Sequence, residues 1–181
     1  MRTETQKKKG IYLALVLPLV LVFTLTACSA NGSASDTESG NNNSAGSNAR
    51  ADGEQTIKEG ESFVIPISEI SETAKFYFIT VGSTKMGVVA VKASDGRIRT
   101  AFDTCQVCNG SPKAYFEQSG DTLQCQNCGN KFPMDRVEAE AGGCNPVPIF
   151  EEDKTVTDES ITISYDTLKA HTSLFPSNWR N

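Results

Sequence analysis

Five of the chain's six cysteines fall within the 40-residue window from Cys105 to Cys144. Four of them form two Cys-x2-Cys pairs, Cys105/Cys108 and Cys125/Cys128, with sixteen residues between the pairs. Cys144 follows Cys128 after fifteen more residues. A short-spaced pair occupies one tight turn, so its two sulfurs converge. Two such turns brought together by the intervening chain supply the four thiolates of a tetrahedral metal site.

Other chemistries have little material. The chain contains one histidine, His171, which leaves acid/base or triad catalysis almost nothing to work with. No Gly-x-Gly-x2-Gly, phosphate-loop, His-Glu-x2-His or Gly-x-Ser-x-Gly pattern occurs. The net charge is −5 and no Lys/Arg cluster exists after residue 9, which argues against a nucleic-acid partner.

Residues 1–9 carry Arg2, Lys7, Lys8 and Lys9, and Ile11 to Ala27 is an apolar run without charge. Leu25-Thr26-Ala27-Cys28 follows the pattern of an export signal ending at a cysteine, and resembles a bacterial lipoprotein signal. Residues 1–27 would then be removed and Cys28 lipidated. A transmembrane anchor is the competing reading, but a spanning helix needs about 20 apolar residues, and Pro18 interrupts a run already shorter than that. Removal of residues 1–27 takes away those four basic residues and Glu4. Of 17 basic and 22 acidic residues it leaves 13 and 21, net −8. Lipid, rather than charge, would hold such a chain on the extracytoplasmic face of the cell membrane. Residues 28–55 begin with Cys28. From 29 to 55 they lack aromatic and branched aliphatic side chains, the composition of a flexible tether.

Residues 56–181 read as an all-β domain. Strands are predicted over 62–67, 75–81, 85–92 and 97–102, with a hairpin turn at Ser94-Asp95-Gly96. In the fourth strand Ile98, Thr100 and Phe102 share one face, and the strand leads directly to Cys105. Ala114–Gln118 and Thr122–Gln124 form a predicted hairpin between the two cysteine pairs, folding one back toward the other. Pro146–Phe150 is extended, 160–165 alternates, and Asp166–Ala170 is a predicted helical turn. The last ten residues show no pattern. Short strands at this spacing suggest a small sandwich or barrel.

Exported proteins commonly form disulfides, yet three features favour a metal site. Cys-x2-Cys pairs rarely bridge internally outside redox motifs. Five cysteines leave one over. Cys125-Gln-Asn-Cys128-Gly129 has the form of a metal-binding knuckle, in which glycine lets N–H groups turn toward sulfur. A thioredoxin-like role would require a helix opening at the pair, but Asn109-Gly110-Ser111-Pro112 is a turn. Four thiolates suit zinc, a single iron or an iron–sulfur cluster. Cys144, in a Gly-Gly-Cys-Asn-Pro loop, has several possible roles: a fifth or exchangeable ligand, a redox thiol, a cap, or a buried small side chain.

Two resemblances add to this reading. Ala101-Phe102-Asp103-Thr104-Cys105, Cys108, Cys125-x2-Cys128-Gly129 and Gly142-Gly143-Cys144-Asn145-Pro146-Val147-Pro148 together resemble the FtrD-like family of iron–sulfur-containing membrane proteins. The resemblance implies Cys105, Cys108, Cys125, Cys128 and Cys144 as metal or cluster residues, and an association with iron transport. Members often carry several transmembrane helices, whereas this chain carries a lipid-type signal. The second resemblance is a more distant, Rieske-like layout. A strand and an Asp95-Gly96 turn lead into a first ligand loop, and Cys125 to Phe132 forms a second. Both Rieske histidines are cysteine here, and the first loop is one residue longer. All-thiolate ligation of a [2Fe–2S] cluster would lower its potential toward about −400 mV. The signal lacks the Arg-Arg pair of folded export, so metal would be acquired outside, which is easier for a single ion than for a cluster.

The expected protein is therefore a membrane-anchored lipoprotein. Its small Rieske-like or rubredoxin-like sandwich would bind iron or an iron–sulfur centre and pass electrons, in iron uptake or extracytoplasmic redox, to a membrane transporter or redox partner. It would act as a carrier without a substrate pocket. One alternative is a structural-zinc lipoprotein serving as adaptor or binding subunit of a transporter. Another is a thiol-disulfide protein using Cys144 with one pair.

Overall fold

The computed structural model describes residues 49–181, with side chains from residue 53. The predicted signal, Cys28 and most of the linker lie outside the described residues. The strands in order are β1 (Ala49–Ile57), β2 (Ser62–Pro66), β3 (Lys75–Val81), β4 (Thr84–Lys92), β5 (Ile98–Cys105), β6 (Phe116–Ser119), β7 (Thr122–Cys125), β8 (Lys131–Pro133), β9 (Pro146–Pro148), β10 (Thr155–Val156) and β11 (Ser160–Ser164). A single α-helix among the described residues, α1 (Tyr165–Ala170), follows β11, and Ser164 caps it by accepting from the Thr167 N–H. The domain is mostly sheet, as predicted. The predicted domain start at residue 56 falls inside β1.

Three sheets build it: β1-β3-β4-β5-β9, β10-β11-β2 and β6-β7-β8. The five-stranded sheet is covered on both faces. Tyr77, Ile79, Met86, Val88, Ala90 and Phe102 pack with Phe63, Ile65, Ile161 and Ile163 of the β2/β11 sheet. Phe76, Val89, Val91 and Ala101 pack with Phe116, Leu123 and Phe132 of the β6–β8 sheet. Successive residues of a strand point to opposite faces, so a strand buried on both sides reads as a continuous apolar run. That is why Met86-Gly87-Val88-Val89-Ala90-Val91 shows no alternation: all five of its side chains are buried.

The C-terminal residues, patternless in sequence, close the first core. Phe175 and Trp179 are buried there, and Trp179 lies edge-on to Phe175 at 5.1 Å. Gly87 makes room for Trp179. A Cβ at position 87 would stand 2.7 Å from Cη2 of Trp179 and 2.8 Å from Cβ of Asp103. Both neighbours are buried, and the clash with Asp103 is at a Cβ fixed to the main chain. Gly87→Ala is therefore expected to lower the urea midpoint by an amount equivalent to about 2 kcal/mol, the usual cost of overpacking a filled core. His171 is also structural: its ring stacks on Phe102 at 4.5 Å, and Nδ1 lies 2.8 Å from the Thr167 carbonyl.

Candidate metal centre

Both cysteine pairs hang from strand ends. Cys105 ends β5 and Cys125 ends β7. β5 meets the proline-rich edge strand β9, which has few N–H groups to offer. Its register jumps between Phe102↔Val147 and Cys105↔Pro146, and this bulge carries Cys105 into the second core. Cys125 is placed by the β6/β7 hairpin, where it pairs with Phe116. The sequence-predicted hairpin does bring the second pair back onto the first.

The two loops are built alike. The Asn109 N–H donates to the Cys105 carbonyl and the Gly129 N–H to the Cys125 carbonyl, both at 2.8 Å. The next residue of each loop is tied elsewhere, Gln106 N–H to the Asn145 carbonyl at 2.9 Å and Gln126 N–H to the Tyr115 carbonyl at 2.8 Å. Each loop then turns its amides onto its first sulfur. Cys105 receives the N–H groups of Cys108 and Val107, and Cys125 those of Cys128 and Asn127. Gly129, at φ +75°, turns the chain so that the Asn130 N–H reaches Cys128. The side chains join the loops as well: the Ser111 hydroxyl donates to Asn127 Oδ1 at 2.8 Å.

All five thiols in the window are free. The sulfurs of Cys105, Cys108, Cys125 and Cys128 lie within 4.8 Å of one another. Cys105 and Cys125 are fully buried, while Cys128 is exposed. Burial pushes the Cys105 and Cys125 thiols up, because a thiolate without a cation loses its solvation there. Cys128 is held down at about 7, first by the Asn130 N–H. Cys144 lies outside the four but touches them. Its thiol is raised, first by a hydrogen bond with the Cys128 thiol, and it also hydrogen-bonds Cys105.

The spacing tests which group fits. A tetrahedron of thiolates about 2.3 Å from one ion has sulfurs about 3.8 Å apart. A [2Fe–2S] cluster puts the two pairs on different irons and spreads sulfurs on opposite irons beyond 4.8 Å. The four thiols fit a single thiophilic ion.

Residues 70–175 match the family model described as membrane iron-sulfur containing protein, FtrD-like. The chain belongs to the FtrD-like family. The FtrD-like region spans both knuckles and Cys144, and it ends before Trp179 and Arg180. No curated protein and no solved structure gives a significant match. No helix among the described residues is long and apolar enough to cross a membrane.

Sequence reasoning missed the charged support beneath the FtrD-like centre. Asp103 is fully buried two residues before Cys105. One carboxylate oxygen accepts the Phe116 N–H at 2.8 Å and the other accepts from Arg180 at 2.9 Å. Arg180 also donates to the Phe116 carbonyl at 3.2 Å and, through its main-chain N–H, to the Pro112 carbonyl at 2.8 Å. Its guanidinium stacks 4.0 Å from the Tyr115 ring centre. One residue thus ties β5, β6 and the first cysteine loop together, the first two through its guanidinium and the loop through its main-chain N–H. An acid inside an apolar strand was the available signal for Asp103; nothing in the sequence marked Arg180 as its partner.

Proposed function

We propose that the protein is a lipid-anchored extracytoplasmic electron carrier. In this reading one iron sits on Cys105, Cys108, Cys125 and Cys128. The convergence of those four sulfurs within 4.8 Å carries the proposal. The iron–sulfur description of the FtrD-like family supports iron as the ion. Bound there, iron on four thiolates supplies one-electron exchange between ferric and ferrous states.

The chain's own groups suit that task. The N–H groups of Val107, Cys108, Asn127, Cys128 and Asn130 point at sulfurs, spreading thiolate charge and favouring the reduced state. Cys105 and Cys125 lie in the apolar core and keep water from one side of the ion. Cys128 is exposed on the other, and Val107, 65 % exposed, lies in the first loop. An electron leaves most readily where a ligand sulfur reaches the surface, so a redox partner would meet the domain at this edge. Two cavities, one beside Arg97 and Lys154 and one beside Tyr115 and Trp179, are lined by no cysteine.

Cys28 would carry the lipid, and the residues between it and β1 would give the domain reach to a membrane transporter or redox partner in iron uptake. Labelling with a fatty acid is expected to fail in Cys28→Ala. The same four thiolates suit zinc equally well, and zinc would make the centre structural and the protein an adaptor. Anaerobic purification followed by dithionite separates the two. The expected result is a coloured protein that bleaches on reduction and recovers its colour in air. A colourless protein holding one zinc would overturn the carrier reading.

A further inference from the structure

Five thiols meet at a centre with four places. Cys144 is held there by groups from both knuckles. Gln106 accepts from the Gly142 N–H at 2.8 Å, and it donates to the Asn145 carbonyl at 2.9 Å and to the Pro146 carbonyl at 3.1 Å. On the other side Asn130 Nδ2 donates to the Cys144 carbonyl at 3.1 Å. Asn130 is also the residue whose N–H reaches the Cys128 sulfur. One asparagine therefore positions both the exposed member of the four and its neighbour outside the four. The two thiols are in hydrogen-bond contact. Cys105 and Cys125 cannot leave without opening the core, whereas Cys128 is exposed and Cys144 is half-buried.

We propose that Cys144 is a reserve ligand that exchanges with Cys128 at the metal ion, a reading that rests on the single-ion centre above. In the exchange the bond from Cys128 to the ion breaks and one from Cys144 forms. The thiol proton of Cys144 passes to the departing Cys128 sulfur across their hydrogen bond. No electron is lost or gained, and the ion keeps four thiolates throughout. The exchange gives the centre a movable edge at the surface while the buried Cys105 and Cys125 stay fixed.

Cobalt(II) reports the number of thiolates by the intensity of its sulfur-to-metal bands, independently of electron transfer. The full-length protein in detergent, reconstituted with cobalt, is compared with Cys128→Ser, Cys144→Ser and the double variant. Each single variant is expected to bind one cobalt with the full four-thiolate intensity. The double variant is expected to lose the intensity of one thiolate. A Cys128→Ser spectrum equal to that of the double variant would overturn the exchange. The unmutated protein gives a test that does not depend on how the variants fold. Substoichiometric iodoacetamide on the cobalt-loaded chain, read by peptide mass spectrometry, is expected to label Cys128 and Cys144 alternatively, with cobalt retained after one label. Label on Cys144 alone would show Cys128 permanently bound and overturn the proposal. Failure of the unmutated chain to bind cobalt would instead overturn the metal centre itself.

Discussion

Cys125→Ser is expected to empty the metal centre. Structural zinc in zinc-finger peptides is held with an apparent free energy of about 10–16 kcal/mol, a scale that applies to the four ligands here. An even share per sulfur is about 3 kcal/mol, roughly a hundredfold in affinity. The loss at Cys125 should exceed that share. Its sulfur is fully buried among Phe116, Leu123 and Phe132, where water cannot take its place on the ion, and a serine hydroxyl is a harder and weaker ligand than a thiolate for a thiophilic ion. The effect should also spread. β6, β7 and β8 are strands of four, four and three residues, and a sheet this small depends on what it packs against. Metal content by mass spectrometry should fall to background in Cys125→Ser, and amide exchange at Phe116 and Leu123 should accelerate. Full metal content in that variant would remove Cys125 from the ligand set.

Arg180→Ala is expected to destabilise the domain by about 3–5 kcal/mol at pH 8, the usual cost of stranding one member of a buried ion pair. The Asp103 side chain is fully buried and that of Arg180 only 16 % exposed, so solvent screens the pair little. The pH dependence identifies the cause. Burial raises the Asp103 carboxyl to about 6, while Arg180 and the Phe116 N–H act to lower it. Because the folded value lies above the ordinary one, the native state keeps this proton longer than the unfolded chain. The carboxyl therefore costs nothing in strong acid. Its cost grows as pH rises from about 4 to 6 and is constant above. Without Arg180 the folded value climbs further, so the window of growing cost extends past neutrality. Urea midpoints of Arg180→Ala and the unmutated protein should differ more at pH 8 than at pH 5. Adding Asp103→Asn to Arg180→Ala should remove that difference between the two pH values. An equal loss at both would assign the effect to the stacking on Tyr115.

How much of this was legible in the sequence follows from what each residue packs against. The apolar run of β4 and the alternation of β11 mark their burial directly, whereas β5 is buried on both faces from Thr100 to Cys105 and its predicted alternation ends there. Gly96 and Gly120, both at positive φ, mark the turns between β4 and β5 and between β6 and β7. β1 gave no such signal. Among its described side chains Ile57 alone is buried, and the strand exists by pairing in parallel with β3. β8 and β10, with three and two residues, are too short to show a period. Phe175, Trp179 and Arg180 sit in a stretch without periodicity because they belong to no regular helix or strand: Phe175 and Trp179 close the first core while Arg180 reaches Asp103. At the centre, the Cys-x2-Cys spacings indicated which thiols would converge. They did not show that Gln106 and Asn130 would hold Cys144 against Cys128, because those contacts join segments that only the folded chain brings together.

Iron and acid-labile sulfide, counted per chain in the anaerobically purified protein, distinguish one ion on four thiolates from a cluster. One iron and no labile sulfide is the result expected of four thiolates within 4.8 Å of one another. Two irons with two sulfides would show a [2Fe–2S] cluster and contradict the single-ion centre.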